Sequence, residues 1–280
     1  MPHEAVWRGM TRAELDAAYN NSAAVKNSAE KLADWTERSK ALRAARGELL
    51  DLAYGPRPRN RIDVFRCGTA GAPLFAFIHG GYWQRHNKEI FACMAEGPLA
   101  RGFDAALIGY TLAPDATLTE IVGEIRAALR WLRQAAPSLG IAAGALVVSG
   151  WSAGGHLAAT AFAEADAGLA ISGIFDLEPC RLSYLNAALH LTLEEQLALS
   201  PIRHLSPRSA PLALAFGTSE LPELQRQSRA YGAAREAVGL PMELRPLAGH
   251  DHFSILDELV DPAGHLVEIL VRMATAAAAA

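Results

Sequence analysis

Apolar residues recur at helical spacing near the start of the chain and in short continuous runs farther on. Across residues 27–46, Leu32, Trp35, Leu42 and Ala45 stand among charges and Gly47 follows as a stop, which predicts a helix. Thr11-Arg12-Ala13-Glu14 opens an earlier helix, since the Thr hydroxyl and the Glu carboxylate can satisfy free amide donors of a first turn. Two strand-like runs, 48–54 and 61–66, flank Gly55-Pro56-Arg57-Pro58, a turn composition that implies an opening β-hairpin.

From Pro73 onward apolar runs alternate with helical segments, the pattern of a mostly parallel sheet covered on both faces. The runs 74–78, 105–110, 145–149, 169–175, 212–216 and 242–247 are bounded by Gly, Pro or Asp, as buried strands tend to be. Between them, Leu118, Ile121, Val122, Ile125, Leu129 and Leu132 form one apolar stripe of a helix over 118–134. There is no internal repeat or Gly/Ser-rich linker, and the alanine tract ending at Ala280 reads as a fraying helix end. The expectation is an α/β fold in one domain, 1–280. A helical segment 1–47, available to cap a pocket, precedes a core over 48–280, with a sheet of about eight strands flanked by helices.

Composition narrows the class. With 51% hydrophobic and 20% charged residues, the 280-residue chain can bury a large core and is not of the disordered type. Lys plus Arg 26 against Asp plus Glu 30 leaves a formal charge of −4, without a basic cluster to track a phosphate backbone, so no nucleic-acid partner is expected. Cys67, Cys93 and Cys180 are far apart and odd in number, which implies neither a disulfide framework nor a cysteine zinc site. The first ten residues lack an apolar core of the signal-peptide type, and no apolar run reaches the ~18 residues a membrane helix needs. No membrane association and a reducing, cytoplasmic compartment are expected.

The strongest chemical signal is Gly150-Trp151-Ser152-Ala153-Gly154, a G-x-S-x-G directly after the run 145–149 and before the helix-compatible run 155–165. On a sharp strand-to-helix turn the serine hydroxyl is exposed, and the small flanking residues let neighbouring backbone approach. The helix that follows turns its positive end to the site, and the Ala153 amide can donate to an oxyanion. His79-Gly80-Gly81-Tyr82-Trp83 follows the run 74–78. Backbone amides of Gly80 and Gly81 reach a developing negative charge because no side chains crowd that loop. His79 itself is expected to anchor the loop.

A serine nucleophile then needs a histidine and an acid farther along the chain. His250 and His252 both follow the last apolar run. His252 is favoured because the apolar stretch after it fixes its backbone and Phe253 can shield the ring. The H-D-H triplet lacks further ligands at metal-binding spacing, so no metal is expected. The loop after 212–216 offers Glu220 first and Glu223 as its rival, since Glu223 behind Pro222 could instead serve a helix start. Asp176 and Asp251 are weaker candidates.

These residues resemble the α/β-hydrolase superfamily and, within it, the kynurenine formamidase (arylformamidase) group, itself similar to the hormone-sensitive-lipase-like esterases. The resemblance is carried by HGGYWQ at 79–84, GYTLAP at 109–114, GWSAGGHLA at 150–158, SGIFDLEP at 172–179, ELPELQRQS at 220–228 and DHFSILDEL at 251–259, with AYNNSAAV at 18–25 ahead of them. It implies an α/β-hydrolase fold with Ser152 as nucleophile, His252 as base, Glu220 as acid, and Gly80, Gly81 and Ala153 around the oxyanion. The group usually has aspartate where this chain has Glu220, which keeps Glu223 and Asp251 open. Tyr82 stands in place of the third glycine of the lipase-like HGGG pattern, as in formamidases.

The implied activity is cofactor-independent hydrolysis of a small acyl group from an aryl amide of the N-formylkynurenine type. A carboxylesterase for short acyl or aryl esters is the alternative, and a non-catalytic binding protein on the same fold a remote one. Tyr82, Trp83, Trp151, Tyr184 and Phe253 lie in or near the motif loops and are expected to wall a pocket for the aryl group. The partner is then a small-molecule substrate, and a homodimer stays open.

Overall fold

In a computed structural model of the chain, described for residues 4–141, 144–205 and 210–279, eight strands join in one sheet. They are β1 (Leu49–Ala53), β2 (Arg61–Phe65), β3 (Leu74–Ile78), β4 (Asp104–Ile108), β5 (Leu146–Trp151), β6 (Ala167–Ile171), β7 (Leu212–Gly217) and β8 (Glu243–Leu247). Their order is β1-β2-β4-β3-β5-β6-β7-β8. β1 pairs antiparallel with β2, and β2 antiparallel with β4, while the remaining pairs are parallel. The mostly parallel sheet with an opening hairpin is thus present.

Why the central runs are continuously apolar follows from their position. β3, β4, β5, β6 and β7 are buried at every residue, whereas the edge strands β1 and β8 retain exposed positions. A parallel strand covered on both faces has no polar side to show. Along β3, Leu74, Ala76 and Ile78 enter one core cluster, and Phe75 and Phe77 enter the other, as the two-residue period of a strand requires. The first cluster includes the apolar stripe of helix Leu118–Ala135, which Thr117 and Glu120 start with a capping box. The second includes residues of helix His265–Ala278. The end of the alanine tract, Ala280, lies outside the described residues.

Among the strand boundaries that differ from the sequence expectation, two bear on the site. β5 continues through Trp151 because Gly150 and Trp151 still pair with Ala170 and Ile171 of β6. β6 in turn stops at Ile171, and residues 172–175 lie beyond it, with Ser172 at φ +50°. A run of buried apolar residues looks alike inside a strand and just past its end.

The N-terminal segment forms helices Arg12–Ala18, Asn21–Ala24 and Ser28–Ala45. It is built into the core: Trp35 packs against Phe91, Trp151 and Phe253 at ring-centroid separations of 5.8, 6.1 and 6.2 Å, and Leu15 and Tyr19 are fully buried. A buried charge cluster ties it further. Arg43 pairs with Asp63, whose carboxylate also lies 2.7 Å from the buried Lys88 ammonium. Lys88 is 2.6 Å from Asp51 as well.

Candidate active site

The site assembles at the C-terminal ends of the parallel strands, where open α/β sheets place their ligands. Ser152 follows β5 at φ +58° and ψ −116°, ahead of helix Ala153–Thr160. This left-handed conformation is costly for a side-chain-bearing residue and persists only when its surroundings enforce it. Here a Cβ on Gly154 would collide with the Ile78 carbonyl, so the helix start can approach β3 only as glycine. Ala153 is the first residue of that helix, and its amide has no acceptor within the helix.

The loop after β3 lies against this turn. A Cβ on Gly80 would come within 2.6 Å of the Trp151 ring and 3.1 Å of Ser152 Cβ. Gly81 takes φ +114°, a region open to glycine. His79 donates from Nδ1 to the Gly80 carbonyl at 2.8 Å, and its ring stacks on Tyr110 with centroids 4.4 Å apart. Burial pushes its pKa down to about 3, so it is a neutral anchor of the loop, in agreement with the sequence reading.

His252 is buried, and its Nδ1 lies 3.1 Å from Glu220 Oε2. The Trp151 indole donates to the His252 carbonyl at 2.8 Å, tying the histidine to the residue before Ser152. Glu220 Oε1 accepts from Ser172 Oγ at 2.5 Å and from the Gly217 amide at 2.6 Å. Thus each carboxylate oxygen is engaged, and Nδ1–H is the tautomer that this contact favours. Ser172 was not singled out from the sequence. Its role depends on β6 and β7 being neighbours, and the only local signal is an ordinary serine after an apolar run.

The other candidate groups are occupied elsewhere. Glu223 accepts from Trp7 Nε1 at 3.4 Å, from Tyr19 Oη at 3.3 Å and from Arg226 Nε at 2.9 and 3.0 Å, anchoring the N-terminal segment. Asp251 accepts from the amides of Phe253 and Ser254, both at 2.8 Å, and Asp176 from that of Glu178 at 3.1 Å. His250 faces Glu258 at 3.1 Å.

A cavity of about 420 Å³ opens beside His252 and Glu220. Its remaining wall includes Asn21, Lys26 and Asn27, so the N-terminal segment covers the site. A larger depression of about 770 Å³, with Cys67 and Asp104, lies at the opposite ends of the strands and contains none of the candidate residues. Tyr82, Trp83, Trp151, Tyr184 and Phe253, the residues expected to form an aromatic wall, do not line this smaller cavity, and neither does Ser152. Trp151 and Phe253 belong to the Trp35 cluster, Trp83 packs edge-on against His156, and the Tyr82 and Tyr184 hydroxyls both point at the Tyr19 carbonyl. Rings of this size gain more from burial in the core than from facing an open pocket.

The fold and the known proteins it resembles define the class: the chain is a hydrolase with the α/β-hydrolase fold. The BD-FAE family model matches residues 63–170. Kynurenine formamidase from Danio rerio is 29% identical over 95% of this chain and 98% of its own length. Esterase LipC from Mycobacterium tuberculosis is 25% identical over 78% of this chain and 63% of its own. Among solved structures, a protein from Silicibacter sp. tm1040 superposes with a TM-score of 0.83 at 27% identity, covering 92% of this chain and 99% of that one. Esterase B from Lactobacillus rhamnosis superposes with a TM-score of 0.70 over 95% of this chain and 96% of its own, a likeness of fold at 18% identity. Kynurenine formamidases and esterases are therefore both among its homologues.

Proposed function

We propose that the chain hydrolyses a small acyl group from an aryl amide by two-step acyl transfer, as an arylformamidase acting on N-formylkynurenine-type substrates. The observation that carries this reading is the buried His252–Glu220 pair, 3.1 Å apart, tied through the Trp151 indole to the residue before a serine held at φ +58° against a glycine loop. In the first step His252 Nε2 takes the Ser152 Oγ proton as Oγ attacks the carbonyl carbon. Glu220 holds the ring and stabilises the imidazolium. The amides of Gly80, Gly81 and Ala153 receive the oxyanion, and the protonated His252 passes its proton to the departing amine. Water, activated by the same histidine, then attacks the acyl-serine and releases the acid. No step calls on a cofactor.

Among aryl amides and esters, the formamidase reading is favoured by similarity to a kynurenine formamidase along nearly the whole of both chains, whereas LipC is matched over 63% of its length. Lys26 on the cavity wall is exposed and has no ion-pair partner among the described residues, a setting suited to a substrate carboxylate. A short-chain carboxylesterase is the second reading, favoured by the esterase homologues. The three cysteines are free thiols, which supports a cytoplasmic setting.

The test is kcat/KM for N-formylkynurenine beside that for phenyl acetate, with Ser152→Ala as the blank. A formamide preference abolished by the substitution is expected. Good ester turnover with little formamide cleavage would make the chain an esterase on this scaffold.

A further inference from the structure

We infer that Asn21 is a specificity-determining residue that accepts a hydrogen bond from a substrate N–H, so that the pocket prefers acylated amines to isosteric esters. This inference deepens the hydrolytic reading above and rests on it. Asn21 is 4% exposed and lines the same cavity as His252 and Glu220. Its Nδ2 donates to Tyr82 Oη at 2.9 Å. Tyr82 donates its own single proton to the Tyr19 carbonyl at 2.5 Å, so the phenol has none left for Asn21. That chain of donors fixes the orientation of the amide, which is otherwise ambiguous between oxygen and nitrogen.

Asn21 Oδ1 is then a buried acceptor with no hydrogen-bond partner among the described residues. Buried acceptors in native proteins are nearly always paired, and one on the wall of the cavity beside the proposed His252–Glu220 pair has a bound substrate as its natural partner. Tyr82 directly follows Gly81, so Asn21 is tied to the loop proposed to hold the oxyanion. The contact requires a carbonyl seated on that loop to carry its amide nitrogen toward the cavity that Asn21 lines. An amide N–H satisfies Oδ1. An ester presents an oxygen lone pair there and leaves both acceptors unpaired, the kind of mismatch by which sites built around a donor reject an analogue lacking it.

Acetanilide and phenyl acetate differ only in N–H against O, and their binding to full-length Ser152→Ala protein reads this discrimination without turnover. Acetanilide should bind at least about tenfold more tightly, equivalent to about 1.4 kcal/mol. Adding Asn21→Leu, or Asn21→Ala if leucine prevents folding, should bring the ratio close to one. Equal binding of the two ligands before Asn21 is changed would overturn the inference, as expected if a water serves Oδ1. A ratio that survives the substitution, or equal weakening of both ligands as from a merely structural role, would overturn it too. If the native protein hydrolyses neither N-formylkynurenine nor phenyl acetate while the binding ratio holds, the hydrolytic reading has failed and the Asn21 contact stands.

Discussion

Ser172 Oγ lies 2.5 Å from Glu220 Oε1, the carboxylate oxygen opposite the one that faces His252 at 3.1 Å. In the proposed mechanism the serine acts on the histidine through the carboxylate, as a positioning residue. Ser172→Ala should lower kcat by about ten- to hundredfold, the value of one hydrogen bond to a charged group, with KM little changed. A parallel rise in KM, or unchanged kcat, in steady-state kinetics would count against this role.

Glu220 and Glu223, one helical turn apart in sequence, should respond differently to the same change. Glu220→Gln keeps the shape and removes the charge proposed to stabilise the His252 imidazolium, so kcat/KM should fall by up to about 10⁴. Glu223→Gln weakens contacts to Trp7, Tyr19 and Arg226, and its effect should appear in thermal stability, at about 2–4 °C for each kcal/mol lost, with kcat/KM within about fivefold of native. Kinetics and thermal unfolding on both variants check the assignment.

Gly80→Ala tests the glycine loop. The added methyl would stand 2.6 Å from the Trp151 ring and 2.8 Å from the Trp151 carbonyl, so the loop must retreat from Ser152. Loss of alignment of the proposed oxyanion donors should cost about 10²–10³ in kcat. Native-like kcat in a folded Gly80→Ala protein would place the oxyanion elsewhere.

Burial sets a pH limit on stability. It lowers the pKa of His79 to about 3 and of His156 to about 4, whereas both take up a proton near 6.5 in an unfolded chain. Between these values the unfolded state binds more protons, so stability rises with pH. The contribution is complete above about pH 6.5 and is lost as pH falls toward 4, by up to about 1.4 kcal/mol per unit for each ring. Tm should fall markedly from pH 7.5 to 5, and His156→Gln should flatten that slope. An unchanged slope would show that His156 does not resist protonation.

Much of the framework is legible without coordinates. The runs 74–78 and 212–216 announce strands because a parallel strand covered on both faces is apolar throughout. Likewise the stripe from Leu118 to Leu132 announces a helix with one buried side. Ser152 and the Gly80-Gly81 loop stand out because a tight turn and close backbone approach require small residues at local, readable spacing. Glu220, Glu223 and Asp251 could be ordered from the sequence only by their place along the chain, since all are carboxylates near the same sheet edge, and the contact with His252 is what separates them.

What the sequence by itself determined is therefore the alternation of layers, the order of the motifs and the residue types available to them. Only the tertiary structure decided that Glu220 meets His252, that Ser172 completes the contact, that Asn21 and Lys26 line the cavity, and that Trp151 and Phe253 join the Trp35 cluster. The physical reason is range. Turn and strand preferences act between near neighbours, whereas these contacts join residues whose strands or helices become adjacent only when the sheet is assembled and the N-terminal helices pack against it.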